Sequence, residues 1–407
     1  MTLKPKLRPL QASIIEHEGN PYIVLVDPLR LSEEIAAIPQ QLVPFLELCD
    51  GTRDLPTLRT AFELQTGVRL DEMTVAQIVS QLDEALLLDN GKFAQVRDAL
   101  TSEFKAAPAR PPTLAGASYP ADPDELTKML EGYLDSIPKE SNPPNNTDGF
   151  TGIISPHIDF QRGGPVYAQT WNRISETIRD IDLAIIFGTN HLGGYNLFTL
   201  TRQNYSTPWG ILPTPENMVD QLADGLGNGI AFEDELYHQN EHSIELALVW
   251  LHYFLGDRKC ELLPILCGSF ERFTNGGEDP AQNEEISAVL NILQEVTKSR
   301  RTLIVAAADL AHMGPAFGDL IPIDTTSRAK IAAADEDLMK SMCAADAQGF
   351  FTQIKQEGDN RRICGLAPIY MTLRILEQSR GEPSGYMQCP ADEIDASLVS
   401  ICGIGLR

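Results

Sequence analysis

The stretch TLIVAAADLAH at residues 302–312 decides the fold class, because an apolar run of strand length ends abruptly in an aspartate and a histidine. Three further runs have the same character: TGIISPH at 151–157, DLAIIFGTNH at 182–191 and ELLPILCG at 261–268. Unbroken apolar runs of this length are typical of strands that are buried on both faces of a parallel sheet. Amphipathic helical segments alternate with them. The alternation predicts an α/β domain layered around a mostly parallel sheet.

Three of these predicted strands end in a histidine-bearing phrase, with His157, His191 and His312, and the last phrase also carries Asp309. The carboxyl ends of strands line the ligand crevice of open α/β sheets, so we expect these side chains to converge. The chain has only seven histidines, and a fourth, His242, begins an apolar helical pattern. One such histidine is as often a hydrogen-bonded core residue as a functional one, but four at element ends favour a functional site.

A cysteine precedes the predicted helix LAPIYMTLRILEQS at 366–379, where Cys364 follows Arg361 and Arg362. A thiol at a helix N-terminus beside two guanidinium groups has its anionic form stabilised, which predicts a nucleophile or a soft metal ligand. The seven cysteines include no Cys-x-x-Cys pair, so a zinc ribbon is not expected and reduced thiols are favoured. The cysteines inside apolar runs are predicted to be buried and inert: Cys260, Cys267, Cys343 and Cys402.

A second metal motif competes with this interpretation, because His238 and His242 fit the H-x-x-E-H spacing of zinc peptidases. Asn240 is a better helix cap than a helix-interior residue, which predicts that the helix begins at Glu241 and leaves His238 outside it. A zinc peptidase is therefore the less favoured alternative.

The composition excludes several classes of protein. Lys and Arg number 32 against 57 Asp and Glu, and the formal net charge of -25 disfavours nucleic-acid binding. With 407 residues, of which 43% are hydrophobic and 22% charged, the chain is expected to form two or three folded domains. It has no apolar run long enough for a membrane span and no signal-peptide pattern, which predicts a cytoplasmic protein.

The Pro-rich stretch AAPARPPT at 106–113 marks the domain boundary. We predict a domain at 1–100, a linker at 101–113 and the α/β domain at 114–407. The first domain combines a β-ribbon, three helices and a terminal hairpin, which is a winged-helix pattern. Residues 1–100 hold nine Lys and Arg against fifteen Asp and Glu, the wrong charge for DNA, so a partner-binding module is favoured over a structural appendage.

The first domain contains the phrase Cys49-Asp50-Gly51-Thr52 and a helix pair that ends in Leu86-Leu87-Leu88. These features, within about the first 95 residues, resemble the small PqqD-like domains that hold peptides or partner proteins in peptide-modifying systems. The resemblance implies a recognition module.

A longer series of phrases resembles, in order, the Memo family, whose prokaryotic branch is called AmmeMemoRadiSam system protein B. The phrases cover about 290 residues: 115–120, 156–157, 163–168, 188–191, 207–210, 241–245, 309–312, 364–365 and 397–406. The resemblance implies a fold similar to that of the class III extradiol dioxygenases. It also implies radical-SAM proteins and AmmeMemoRadiSam system protein A-type proteins as partners.

By motif, the resemblance implies a metal pocket made by His157, His191 and Cys364. The catalytic or neighbouring groups implied around it are His242, His312 and Asp309. Imidazole and thiolate suit Fe(II), with Cu(I) or Zn as alternatives, and three protein ligands leave positions open for substrate or O₂. The implied function is an iron- or copper-dependent oxidoreductase of the dioxygenase type, with an unknown small-molecule or peptide substrate. A non-catalytic protein that binds a partner or peptide in the same pocket is the alternative.

The sequence departs from the family pattern beside the first implied ligand. Ile158-Asp159 replaces the usual small pair after Pro-His, and the carboxylate of Asp159 is expected to change metal preference or substrate room. Ala308 and Ala311 stand where the family has serines, which removes two hydroxyl groups from the pocket.

Overall fold

The computed structural model describes residues 3–17, 20–27, 29, 31, 36–138, 149–194 and 196–407. The chain divides into two compact units, Met1–Ala106 and Ala107–Arg407. Among the described residues, no helix is long and apolar enough to cross a membrane.

The first unit combines a small antiparallel sheet with helices. The strands β1 (Gln11–His17), β2 (Asn20–Val26) and β3 (Ala36–Pro39) pair in that order. The helices are α1 (Val43–Glu47), α2 (Leu55–Thr66), α3 (Glu72–Glu84) and α4 (Gly91–Ala106). Asp54 and Asp71 cap α2 and α3, because their carboxylates accept hydrogen bonds from backbone N–H groups in the first turns.

The end of this unit differs from the winged-helix expectation. A terminal hairpin was predicted after the third helix, but Gly91 begins α4 instead. The side chain of Asn90 accepts hydrogen bonds from the backbone N–H groups of Lys92 (2.9 Å) and Phe93 (3.1 Å), which caps the new helix. The helix continues to Ala106, so residues 101–106, predicted as linker, are helical.

The second unit alternates strands and helices. Its strands are β4 (Gly152–Ser155), β5 (Leu183–Thr189), β6 (Phe198–Leu200), β7 (Tyr205–Thr207), β8 (Gly210–Leu212), β9 (Glu261–Cys267), β10 (Thr302–Ala307), β11 (His312–Met313), β12 (Gly381–Pro390) and β13 (Leu398–Leu406). Its helices are α5 (Pro123–Asp135), α6 (Phe160–Arg173), α7 (Ser175–Ile178), α8 (Glu216–Leu226), α9 (Asn228–Ala231), α10 (Tyr237–Asn240), α11 (Ser243–Leu255), α12 (Glu271–Thr274), α13 (Glu284–Ser299), α14 (Thr325–Cys343), α15 (Ala347–Gln356) and α16 (Leu366–Ile375).

The main sheet has the order β11-β13-β4-β10-β5-β9-β6, and β12 pairs with β13. The central strands β4, β10, β5 and β9 run parallel to one another. The outer strands β13, β12, β11 and β6 join antiparallel. The predicted α/β class with a mostly parallel central sheet is therefore confirmed.

Helices cover both faces of the sheet, as expected when nearly all residues of the central strands β5 and β10 are buried. Phe187 packs into a continuous core that includes residues of α8, α13 and α16. Its neighbour Gly188 faces the opposite side, where a Cβ atom would come within 2.5 Å of Ile244 in α11. The missing side chain lets the N-terminus of α11 lie directly on the end of β5.

Candidate metal centre

Four side chains able to bind a metal meet at the carboxyl edge of the parallel strands. His157 follows β4, His191 follows β5, His242 immediately precedes α11 and Cys364 lies just before α16. One ring nitrogen from each of the three imidazoles lies within 4.8 Å of the others. The Sγ atom of Cys364 is 3.2 Å from Nε2 of His157. The structure thus brings the three predicted ligands together and places His242 in the same cluster.

Hydrogen bonds to the protein backbone orient the His157 ring. Its Nδ1 lies 2.9 Å from the carbonyl oxygen of Ala307, so Nδ1 carries the hydrogen and Nε2 points towards Cys364. The backbone N–H of His157 donates to Oδ1 of Asp309 (2.8 Å), and Oδ2 of Asp309 lies 3.7 Å from Nε2. Burial disfavours the protonated ring, but Asp309 and Cys364 outweigh it and raise the pKa of His157 to about 9.

A single buried carboxylate, Glu241, organises the other two imidazoles. It accepts hydrogen bonds from the backbone N–H (2.9 Å) and Nδ1 (3.0 Å) of His191. It also accepts from the backbone N–H groups of His242 (2.8 Å) and Ser243 (2.9 Å), which caps α11, and lies 3.2 Å from Nδ1 of His242. The carboxylate therefore fixes the start of the helix and the orientation of His191 together.

The charges of this group are strongly coupled. Burial opposes ionisation of Glu241, but His191 and His242 outweigh it and hold the pKa of the carboxyl below its usual range. Burial likewise opposes protonation of His191, but Glu241 and Cys364 raise its pKa well above the usual value. In His242 burial prevails and lowers the pKa to about 4, so this imidazole is neutral at pH 7.

The thiol of Cys364 has its anionic form stabilised, as predicted, but for a different physical reason. Burial would raise its pKa, yet His157 and His312 outweigh it and lower the pKa to about 5. The neighbouring arginines are engaged elsewhere: Arg361 pairs with Asp335 and Glu357, and Arg362 pairs with Asp319.

Close packing places Cys364 beside the end of β10. A Cβ atom at Gly365 would lie 2.6 Å from both the Cβ of Ala308 and the carbonyl oxygen of Asp309. The backbone N–H of Gly365 donates to that same carbonyl (3.0 Å). A glycine at position 365 and a small residue at 308 are therefore needed for the thiol to reach His157.

The remaining predicted site residues border the cluster. Asp309 is buried and contacts His157, as described above. The Nδ1 atom of His312 lies 3.0 Å from the carbonyl oxygen of Leu310, and its ring packs edge-on against Phe317. His312 also acts electrostatically on Cys364. Asp309 and His312 are thus in positions from which they can influence the ligands.

The H-x-x-E-H spacing does not produce a shared site. His238 lies in the separate short helix α10, and its Nδ1 contacts the hydroxyl of Tyr205 (2.6 Å) while Nε2 contacts the carbonyl oxygen of Thr199 (3.0 Å). Complete burial lowers the pKa of His238 to about 3. Helix α11 begins at Ser243, two residues later than predicted. Both ring nitrogens of His238 are therefore occupied away from His242.

Asp159, which follows the first implied ligand by two positions, is the N-cap residue of α6. Its carboxylate caps α6 by accepting from the backbone N–H of Arg162 (3.1 Å) and from Nε of the same arginine (2.6 Å). The carboxylate is thus paired with Arg162 at the start of α6, and its effect on metal preference or substrate room stays a prediction.

Two buried charges that bond to each other and to the segment before α11 were not identified from the sequence. Arg110 and Glu245 form an ion pair in which both side chains are fully buried. The sequence does contain an indication for Glu245, because a carboxylate inside the apolar run SIELALVWL requires a buried partner. The sequence contains no such indication for Arg110, because this residue stands among prolines in a stretch that resembles a linker.

Comparison with known proteins identifies the family of this chain. Residues 110–402 match the family model described as Memo-like protein. A MEMO1 family protein of Aquifex aeolicus is 26% identical over 377 residues, covering 92% of this chain and 91% of the relative. A MEMO1 family protein of Nitrosopumilus maritimus is 29% identical over 302 residues, covering 73% of this chain and 98% of the relative. The match takes in all four members of the histidine and cysteine cluster, and it places this chain in the Memo-like protein family.

Proposed function

We propose that this protein is a metal-dependent oxidoreductase that binds Fe(II) and acts on a small-molecule or peptide substrate. The convergence of three imidazoles and a thiol of low pKa at one edge of the sheet is the observation that supports it. Imidazole and thiolate together are suited to Fe(II), and also to Cu(I) or Zn, whereas carboxylate-rich sites favour Mg²⁺ and Ca²⁺.

The proposed ligands are His157, His191 and Cys364, which leave coordination positions open. The iron would supply one-electron chemistry and a position for O₂. His242 is neutral at pH 7 and lies in the same cluster, so it is the proposed proton acceptor for a bound substrate. Asp309 is proposed to hold His157, and His312 to stabilise the thiolate of Cys364.

The test is metal analysis of protein purified without oxygen, followed by O₂-uptake measurements with a panel of catechols. We expect a single iron per chain and metal-dependent O₂ uptake with at least one substrate. Iron binding without uptake on any catechol would favour the alternative, a protein that recognises a partner or peptide with a metal-stabilised pocket. Failure to retain any transition metal would contradict the proposal.

Replacement of Cys364 by serine is expected to lower Fe(II) or Cu(I) affinity by at least about 10- to 100-fold, because a hydroxyl is a harder and rarely ionised ligand. Affinity in the unchanged protein should also fall as pH falls through the neutral range. His157, whose pKa is about 9 without metal, must lose its proton to bind. Competition titrations with a chromophoric chelator measure both effects.

Thiol labelling gives an independent check on Cys364. In metal-free protein at neutral pH it should react faster than the other six cysteines, because burial raises the pKa of Cys49 and Cys260 to about 12. Bound metal should protect it. Equal labelling with and without metal, together with unchanged affinity in the serine variant, would leave a histidine-only site.

For the first unit we propose recognition of a peptide or partner protein, in keeping with its PqqD-like phrases and its acidic charge. Radical-SAM proteins and AmmeMemoRadiSam system protein A-type proteins are the partners that the family resemblance proposes. Nucleic acid is not proposed, because residues 1–100 carry more carboxylates than basic groups.

A further inference from the structure

The buried ion pair of Arg110 and Glu245 lies immediately behind the candidate metal centre. Both side chains have no solvent exposure, and Nη1 of Arg110 donates to Oε2 of Glu245. Removing two charges from water is costly, and an apolar pair of similar size often stabilises a protein as well or better. Stability alone therefore does not require an ion pair here, although the loss of one partner from the existing pair is costly.

The other hydrogen bonds of Arg110 lead to the metal centre. Its Nε donates to the carbonyl oxygen of His238 (2.9 Å), and its Nη2 donates to the carbonyl oxygen of Glu241 (2.7 Å). Glu241 is the residue whose carboxylate orients His191 and caps α11. One planar guanidinium thus fixes the backbone of the short segment that presents the carboxylate.

Glu245 anchors the same guanidinium from the first turns of α11. Its carboxylate also accepts from the backbone N–H (3.0 Å) and hydroxyl (3.0 Å) of Thr113, the backbone N–H of Leu114 (2.8 Å) and the hydroxyl of Tyr119 (2.5 Å). These donors come from the stretch 113–119, so the pair connects three parts of the chain: the segment around 110–119, the loop before α11 and the helix itself. Every lone pair of the carboxylate is used, which holds the arginine in one position.

We propose that Arg110 is a positioning residue of the metal centre, acting through the backbone of Glu241 on the orientation of His191 and His242. The inference rests on the proposed metal binding and adds a supporting residue outside the ligand cluster. Lysine carries the same charge but has no planar fork, so it cannot bind the carboxylate and both carbonyls at once.

The test compares Arg110→Gln and Arg110→Lys with the unchanged full-length protein. Co(II) serves as the probe, because its visible absorption spectrum reports ligand geometry. We expect Arg110→Gln to weaken Co(II) binding about 10- to 100-fold, the range typical for residues that orient ligands, and to change the spectrum. Arg110→Lys should give an intermediate loss.

Arg173→Gln is the matched control. Arg173 is the last residue of α6, at the end of the helix away from the site, and it pairs with Glu382. It should leave affinity and spectrum unchanged even if it lowers stability.

A metal-free readout separates this inference from the proposed function. In the unchanged protein, NMR should detect the Nδ1–H proton of His191 in a slowly exchanging hydrogen bond to Glu241, and Arg110→Gln should speed its exchange.

The outcomes distinguish the two proposals. If wild-type protein binds no Co(II), the metal proposal fails while this measurement still decides the role of Arg110. If Arg110→Gln does not fold, Tyr119→Phe, which removes one donor to Glu245, should produce the same changes in smaller degree. Unchanged exchange, affinity and spectrum in a folded variant would overturn the inference.

Discussion

Truncation of the protein to residues 114–407 is expected to abolish stable folding, whereas residues 107–407 should fold. The shorter piece lacks Arg110 and Thr113 and leaves the carboxylate of Glu245 buried without its counter-ion. Loss of one partner from a buried ion pair costs about 3–5 kcal/mol. That is a large part of the roughly 5–15 kcal/mol by which a typical domain is stable.

The longer piece keeps the anchoring of the same segment. Gln203 donates to the carbonyl oxygen of Ala107 (3.0 Å), and Asn204 donates to that of Pro108 (3.1 Å). Urea unfolding followed by circular dichroism should therefore give a cooperative transition for 107–407 and none for 114–407. Equal stability of the two pieces, within about 1 kcal/mol, would show that the ion pair contributes little.

Replacement of His191 by alanine is expected to lower metal affinity by more than about 100-fold, because losing a ligand exceeds the 10- to 100-fold cost of losing a residue that orients one. His238→Gln is the matched histidine control. It should destabilise the protein by about 1–3 kcal/mol, since Tyr205 and Thr199 lose a buried partner.

The affinity of His238→Gln for metal should nevertheless equal that of the unchanged protein. Isothermal titration with Co(II) or Zn measures both variants under conditions in which each is folded. The reverse outcome, with His238 essential and His191 dispensable, would favour the H-x-x-E-H site over the present cluster.

The ends of the strands were the part of the site that the sequence predicted best. Apolar runs that stop at polar residues place His157 and His191 at one edge of a parallel sheet, and the structure has them there. The position of Cys364 before a helix was also anticipated. The source of its low pKa was not, because Arg361 and Arg362 pair with carboxylates, and His157 and His312 stabilise the thiolate instead.

The features that the sequence did not predict depend on partners distant in sequence or on local helix caps. Nothing in the composition of residues 106–113 distinguishes Arg110 from a linker residue, since His238, Glu241 and Glu245, with which its guanidinium bonds, lie more than 120 positions away. The predicted hairpin after α3 failed for a local reason, because Asn90 caps a helix more effectively than it forms a turn here. Asp159 similarly became a cap where a pocket group was expected.

The cluster residues lie just beyond strand ends and just before helix starts, and this placement has an evolutionary consequence. The sheet and helices fix the positions of His157, His191 and Cys364, which lie where the loops join these elements. A substitution in such a loop, for example the aspartate at Asp159, can therefore form a helix cap without moving a proposed ligand. Under the proposed function, the loops beyond these residues would decide which molecules reach the metal, so relatives with equal ligands need not share a substrate.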